Sequence, residues 1–86
     1  MPYIKPDRRE ELGEYEHVPL PQTPGELNYV LTRLTDRVLG PSPSYEDINS
    51  AIGALECCQL ELYRRVASPY EDRKMAENGD TYLNRE

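Results

Sequence analysis

Three runs in this chain place a hydroxyl residue three positions ahead of a carboxylate. They are Thr23-Pro24-Gly25-Glu26, Ser44-Tyr45-Glu46-Asp47 and Ser68-Pro69-Tyr70-Glu71. In such a run the hydroxyl oxygen accepts from the unpaired amide three residues on. The acid reaches back to the amide of the capping residue. Asp47 is a shorter acid than Glu for this purpose. Thr23 and Ser68 are each followed by proline at the first helical position, where a missing donor is harmless. The punctuation therefore predicts an all-α chain with three capped helices.

Periodicity fills in the elements. Residues 1–22 read as a proline-spaced strap with a possible short helix over Pro6 to Leu12, closed by Gly13. Each proline of Val18-Pro19-Leu20-Pro21 favours extended geometry in the residue before it, and Val18 and Leu20 are expected to pin the strap to the body. A helix over about 24–39 carries Leu27, Val30, Leu31, Leu34 and Val38 on one stripe, with Gly40 and Pro41 as its stop. A longer helix over about 45–67 follows a short loop, so the pair is expected to form an antiparallel helix hairpin. One face of that long helix carries Ile48, Ala51, Ile52, Leu55, Cys58, Leu62 and Val66, with Gln59 in its middle. A second face carries Gly53, Cys57 and Leu60. A last helix is expected over about 69–78, ahead of Gly79, and a loose tail over 80–86. The whole is one small helical domain, 1–86.

Bulk composition limits what such a domain can do alone. The chain has 86 residues, 37% of them hydrophobic, eight prolines and two cysteines. Its mean hydropathy is −0.81. A chain this small hides only roughly 60–65% of its unfolded surface. Cys57 and Cys58 are sequence neighbours, about 100° apart on a helix, and are poorly placed to bridge each other. No zinc-ligand set is present. With both staples excluded, self-association is the remaining route to stability, and the small pair Gly53 and Cys57 would let another backbone come close. The two-faced long helix points the same way.

The formal net charge is −6 and the isoelectric point is near 4.7. That balance argues against general binding to nucleic-acid backbones. No apolar run reaches the about 20 residues needed to cross a bilayer, and the opening residues lack a signal core. A cytoplasmic location is expected.

Every aromatic residue is a tyrosine, seven in all. Tyrosine suits half-wet interfaces and also stacks on bases. Several of these tyrosines lie beside cations. Tyr29 is four residues from Arg33, Tyr63 adjoins Arg64, and Tyr70 precedes Arg73 and Lys74. An aromatic face with a guanidinium or ammonium group is suitable equipment for a nucleobase and its phosphate. Tyr63, Arg64, Tyr70, Arg73, Lys74, Tyr29 and Arg33 are therefore the candidate ligand-binding residues. The first five flank Ala67-Ser68-Pro69, where a helix start would add free amides for an anion. Glu71 and Asp72 oppose an anion there. The competing assignment is that these cations pair with the sixteen acids on the surface, as is common and weakly stabilising.

Enzymatic chemistry has thinner support. His17, the only histidine, has no partner at catalytic or ligand spacing. The pairs Glu11/Glu14 and Glu77/Asp80 match, letter for letter, the acid spacing by which small helical pyrophosphohydrolases hold magnesium. Each pair contains or adjoins a glycine that stops helices. No catalytic residue, metal or cofactor is assigned.

Three blocks together resemble a family of small uncharacterised proteins of bacteria and their phages. The first is Met1-Pro2-Tyr3-Ile4-Lys5-Pro6-Asp7-Arg8. The second is Thr23-Pro24-Gly25-Glu26-Leu27-Asn28-Tyr29. The third runs from Ile48-Asn49 through Ile52-Gly53-Ala54-Leu55-Glu56, Glu61-Leu62-Tyr63-Arg64-Arg65-Val66 and Pro69-Tyr70-Glu71-Asp72-Arg73-Lys74 to Glu77-Asn78-Gly79-Asp80. The resemblance spans nearly the whole chain and implies a shared helical fold without an activity to transfer. By analogy of size and setting, small helical phage proteins interfere with host defence, some as oligomers that sequester cyclic nucleotides. The expectation is a non-enzymatic homo-oligomer binding a cyclic or linear nucleotide signal. The alternatives are a module that caps a partner protein and a magnesium-dependent nucleotide hydrolase.

Overall fold

The computed structural model describes residues 2–13 and 19–83. Tyr15, His17, Val18, Glu14 and tail residues 84–86 lie outside the described part, and with them the expectations placed there. The described residues fall into two units, 1–54 and 55–86.

Every regular element among the described residues is helical. Helix α1 is Pro6–Leu12, α2 is Pro24–Leu39, α3 is Tyr45–Leu62 and α4 is Ser68–Asn78. A π-helical turn, Tyr63–Ala67, joins α3 to α4. The stops are those the glycines predict. Gly13, Gly40 and Gly79 all take positive φ, at 79°, 73° and 90°, which a side chain would resist.

Two of the three expected caps form. The Glu26 amide donates to Thr23 Oγ1 at 3.1 Å, and that hydroxyl donates to Glu26 Oε2 at 3.3 Å. Glu26 Oε1 reaches one residue further back than expected, accepting from the Gln22 amide at 3.1 Å. At Ser44 the box is reciprocal. The Asp47 amide donates to Ser44 Oγ at 3.1 Å and the Ser44 amide to Asp47 Oδ2 at 3.0 Å. The shorter acid fits because it needs to span only to the cap's own amide.

The third run does not start a helix. Ala67 and Ser68 both have right-handed helical geometry, and no side-chain cap bond is made. The helical backbone continues unbroken over 45–78. Pro69 therefore sits inside a helix, where its ring would strike the carbonyl four residues back and its nitrogen offers no donor. The π turn provides the relief. It widens the backbone so that the Ser68 amide donates to the Tyr63 carbonyl, five residues back, ahead of the proline. The sequence rule was sound for isolated Ser-Pro starts. Here the incoming α3 was already propagating, and extending a helix is easier than nucleating one.

Burial departs most from expectation. Among the described residues, no side chain is buried. The loop after Gly40 joins α2 to α3 as expected. Yet in the first unit no Cα of α2 comes within 8 Å of one in α3. Val38 is 75% exposed and Ile52 is 57% exposed. Leu20, expected to pin the strap, is 74% exposed. Gln59, on the apolar stripe of α3, is exposed as well.

Two outcomes follow from the caps. Thr23→Ala removes the acceptor for the Glu26 amide and is expected to lower stability by about 0.5–2 kcal/mol. The denaturant midpoint reads this, and an unchanged midpoint would detach α2 from that cap. The hydrogen bonds from Ser44, backbone first and hydroxyl second, hold the Asp47 carboxyl below its ordinary value. A depressed folded-state value stabilises above the ordinary aspartate range and loses that contribution as pH falls through the depressed value. The first turn of α3 is thus expected to loosen on acidification, and Asp47→Asn to lack that step in helicity measured against pH.

Candidate functional site

In the second unit, the π turn and α4 bring several candidate residues close together. Tyr63 and Glu71 are eight residues apart and fall on one side of the helical run. The Tyr63 hydroxyl donates to Glu71 Oε2 at 2.7 Å, spanning Pro69. That bond, and then the Glu71 charge, raise the Tyr63 phenol above its ordinary pKa. Arg64 Nη2 lies 2.6 Å from Glu61 Oε1 on the preceding turn. So Tyr63 and Arg64, expected to stack a base and hold a phosphate, each meet an acid of their own helix. This is the competing surface-pair assignment, realised at these two positions.

Tyr70 is different. The Arg73 guanidinium lies 5.8 Å from its ring centroid and the Lys74 ammonium 5.7 Å. The spacing of three and four residues on α4 places both over one ring, a cation–π arrangement. Lys74 Nζ also approaches Glu77 Oε2 at 3.3 Å. Two open concavities border this tyrosine. One, of about 530 Å³, is lined by Leu62, Val66, Ala67, Tyr70, Glu71 and Arg73. The other, of about 430 Å³, lies between α4 and the turn that follows it, and presents Glu71, Asp72 and Asp80 beside Lys74. Its surplus of carboxylates disfavours an anion, whereas the first has an apolar floor with Arg73 at its edge.

The expected break at Ala67-Ser68-Pro69 is corrected by the continuous backbone. No helix starts there, so the free amides proposed to receive an anion are engaged, that of Ser68 with Tyr63. Tyr29 and Arg33 belong to α2, in the first unit, and the ring contacts of the candidate set fall at Tyr70 instead. Of the acids considered for magnesium, Glu14 lies outside the described residues. Among the described residues, no group of three or more potential metal ligands occurs. Asp80 Oδ1 accepts from the Tyr82 amide at 2.9 Å, and Glu11 pairs with Arg8 at 2.6 Å. Cys57 and Cys58 are exposed free thiols.

Sequence reasoning missed the part played by Glu71. It appeared as a charge opposing a ligand, and it is the acceptor that orients Tyr63. In a regular α-helix two turns take about seven residues, so a spacing of eight did not mark Tyr63 and Glu71 as facing each other. The π turn lies between them, and its extra residue makes eight positions close to two turns.

Among the described residues, no helix is long and apolar enough to cross a membrane. No curated protein and no solved structure matches the chain. Residues 1–81 match the family described as Domain of unknown function (DUF6899). That match covers nearly the full length of a helical chain read above as resembling a family with no assigned activity, and the protein belongs to the DUF6899 family.

Proposed function

We propose that this protein is a non-enzymatic helical binding protein that works as an assembly of identical copies. The observation that carries this reading is the lack of any buried side chain among the described residues, beside apolar stripes on α2 and α3. In proteins most of a helix's stability comes from packing of its apolar face rather than from its own propensity. Each fully covered Leu, Ile or Val contributes about 1.5–3 kcal/mol, and a partner would supply that cover for these stripes. A second copy is the partner present wherever the chain is made. In a bacterial or phage setting, such an assembly in the cytoplasm would capture a nucleotide signal of host defence or cap a partner protein.

Gly53 offers a test. A Cβ built there meets nothing within 4 Å, so the chain itself does not demand glycine. Alone, Gly53→Leu would strengthen the helix, since mid-helix glycine is destabilising by roughly 0.5–1 kcal/mol relative to alanine. In an assembly that uses the Gly53 and Cys57 face, the same change forces backbones apart. Native mass spectrometry is expected to show a multimer of the natural chain and dissociation of the Gly53→Leu variant. A monomer that keeps its helices at micromolar concentration would defeat the proposal.

A ligand reading is favoured by one further observation, the Tyr70 ring with Arg73 and Lys74 over it. A base would replace the cations on the ring while they turn to its phosphate. Calorimetry with cyclic and linear nucleotides is the check. Binding that falls at least tenfold in Arg73→Ala supports capture at α4. No heat across the panel, or binding unchanged in that variant, leaves the protein-capping alternative.

A further inference from the structure

We infer that the π turn, Pro69 and the Tyr63–Glu71 bond form a latched hinge in the helical run, and that the latch holds together the concavity beside Tyr70. The hinge lies where two faults of the helical ladder coincide. Pro69 brings no N–H, so the ladder loses one bond there. Just ahead of it the ladder reaches five residues back instead of four, from the Ser68 amide to the Tyr63 carbonyl. Sharp kinks in helices gather at prolines and at wide turns of this kind. No side chain among the described residues is buried, so no core clamps the junction. Local opening costs least where backbone bonds are few and exposed.

The latch is a side-chain bond that crosses this stretch. The Tyr63 hydroxyl donates to Glu71 Oε2 at 2.7 Å, with the proline between them in the chain. The ion pairs Glu61–Arg64 and Lys74–Glu77 lie one on each side of it. The latch needs the turn. In regular helix, positions eight apart stand about 80° out of phase, and the extra residue of the π turn brings Tyr63 and Glu71 onto one side. The turn in turn gains from the latch, which ties its first residue to α4. The concavity shows what the hinge controls. It measures about 530 Å³, and its walls come from both sides of the hinge. Leu62, Val66 and Ala67 precede Pro69, and Tyr70, Glu71 and Arg73 follow it. Opening the hinge turns these two walls apart. Glu71 serves twice, as the acceptor of Tyr63 and as part of the wall. Whatever fills the concavity therefore favours the closed hinge, because a ligand shifts a chain toward the state that binds it better.

Limited proteolysis of the full chain with trypsin reads the hinge, because Arg64 and Arg65 lie inside the π turn. Cleavage there tracks the population of open molecules when opening and closing are fast. Each rate is divided by that of the same variant unfolded in urea, which cancels trypsin's own preference. Tyr63→Phe and Glu71→Ala are each expected to speed cleavage after Arg64 and Arg65 by about threefold, the size of an exposed charge-assisted contact. Cleavage after Arg33 and Arg37, in α2, is expected to stay unchanged. The double variant is expected to match the single ones, as the two ends of one bond do. Pro69→Ala is expected to slow cleavage at the turn, since the ladder regains its bond. An unchanged rate at the turn in either single variant, or a double variant showing the product of both effects, would overturn the latch. Cleavage not slowed in Pro69→Ala would overturn the hinge. Should Glu71→Ala lose helicity throughout, Tyr63→Phe decides alone, because it removes one exposed hydroxyl and keeps the ring. A monomeric natural chain, which defeats the assembly reading, leaves the latched hinge standing.

Discussion

The helices of this protein keep their apolar stripes in water, and every other feature of the structure depends on that. An α-helix is nucleated at a loss, and in proteins most of its stability comes from packing an apolar face. Within the chain, what holds the helices is local. It consists of caps at Thr23 and Ser44, glycine stops at positive φ, and a few ion pairs between neighbouring turns. Exposed pairs of that kind are worth at most about 1 kcal/mol each. The larger store of stabilisation is the uncovered Leu, Ile and Val surface. It is realised only when something packs on it, which is why assembly is the central proposal.

A single proline governs the second unit. Pro69 would break a regular helix, and the wide turn at Tyr63–Ala67 lets the helix pass through it. That turn has consequences on both sides. Ahead of it, α3 keeps the apolar stripe that its spacing predicts. After it, the phase shifts, and α4 presents Tyr70, Arg73 and Lys74 as a group of its own. The Tyr63 to Glu71 bond ties the two sides across the proline. The backbone defect thus separates the apolar stripe of α3 from the tyrosine and cations of α4. Wide turns of this type recur at functional sites.

The electrostatics of α4 temper the ligand reading. Tyr70 has two cations over its ring, while Glu71, Asp72 and Asp80 border the neighbouring concavity. Tyr63 and Arg64 are held by acids of their own helix. Of the two concavities beside Tyr70, the apolar one lined by Arg73 carries fewer carboxylates. A net charge of −6 makes even an approach there depend on close contact with Arg73 and Lys74, since at longer range the chain repels anions.

Helix bounds were legible in the sequence because they rest on interactions within a few residues. Thr23 with Glu26, Ser44 with Asp47, and the glycines at 13, 40 and 79 each act on their own turn, and α1, α2 and the start of α3 fall where those residues place them. The amphipathic stripes were equally local, being a matter of spacing. The Ser68-Pro69 run was misread because its outcome depends on what arrives from upstream. A helix already formed over α3 carries through the proline by widening, and no four-residue pattern contains that information. The meeting of Tyr63 with Glu71, the capture of Arg64 by Glu61 and the cations over Tyr70 were likewise choices among acids and rings of equal sequence merit. The sequence by itself determined which residues are helical and which of their faces are apolar. Only the tertiary structure decided that those faces stay uncovered within one chain, because packing depends on where the loops send the helices, and turn chemistry does not fix that.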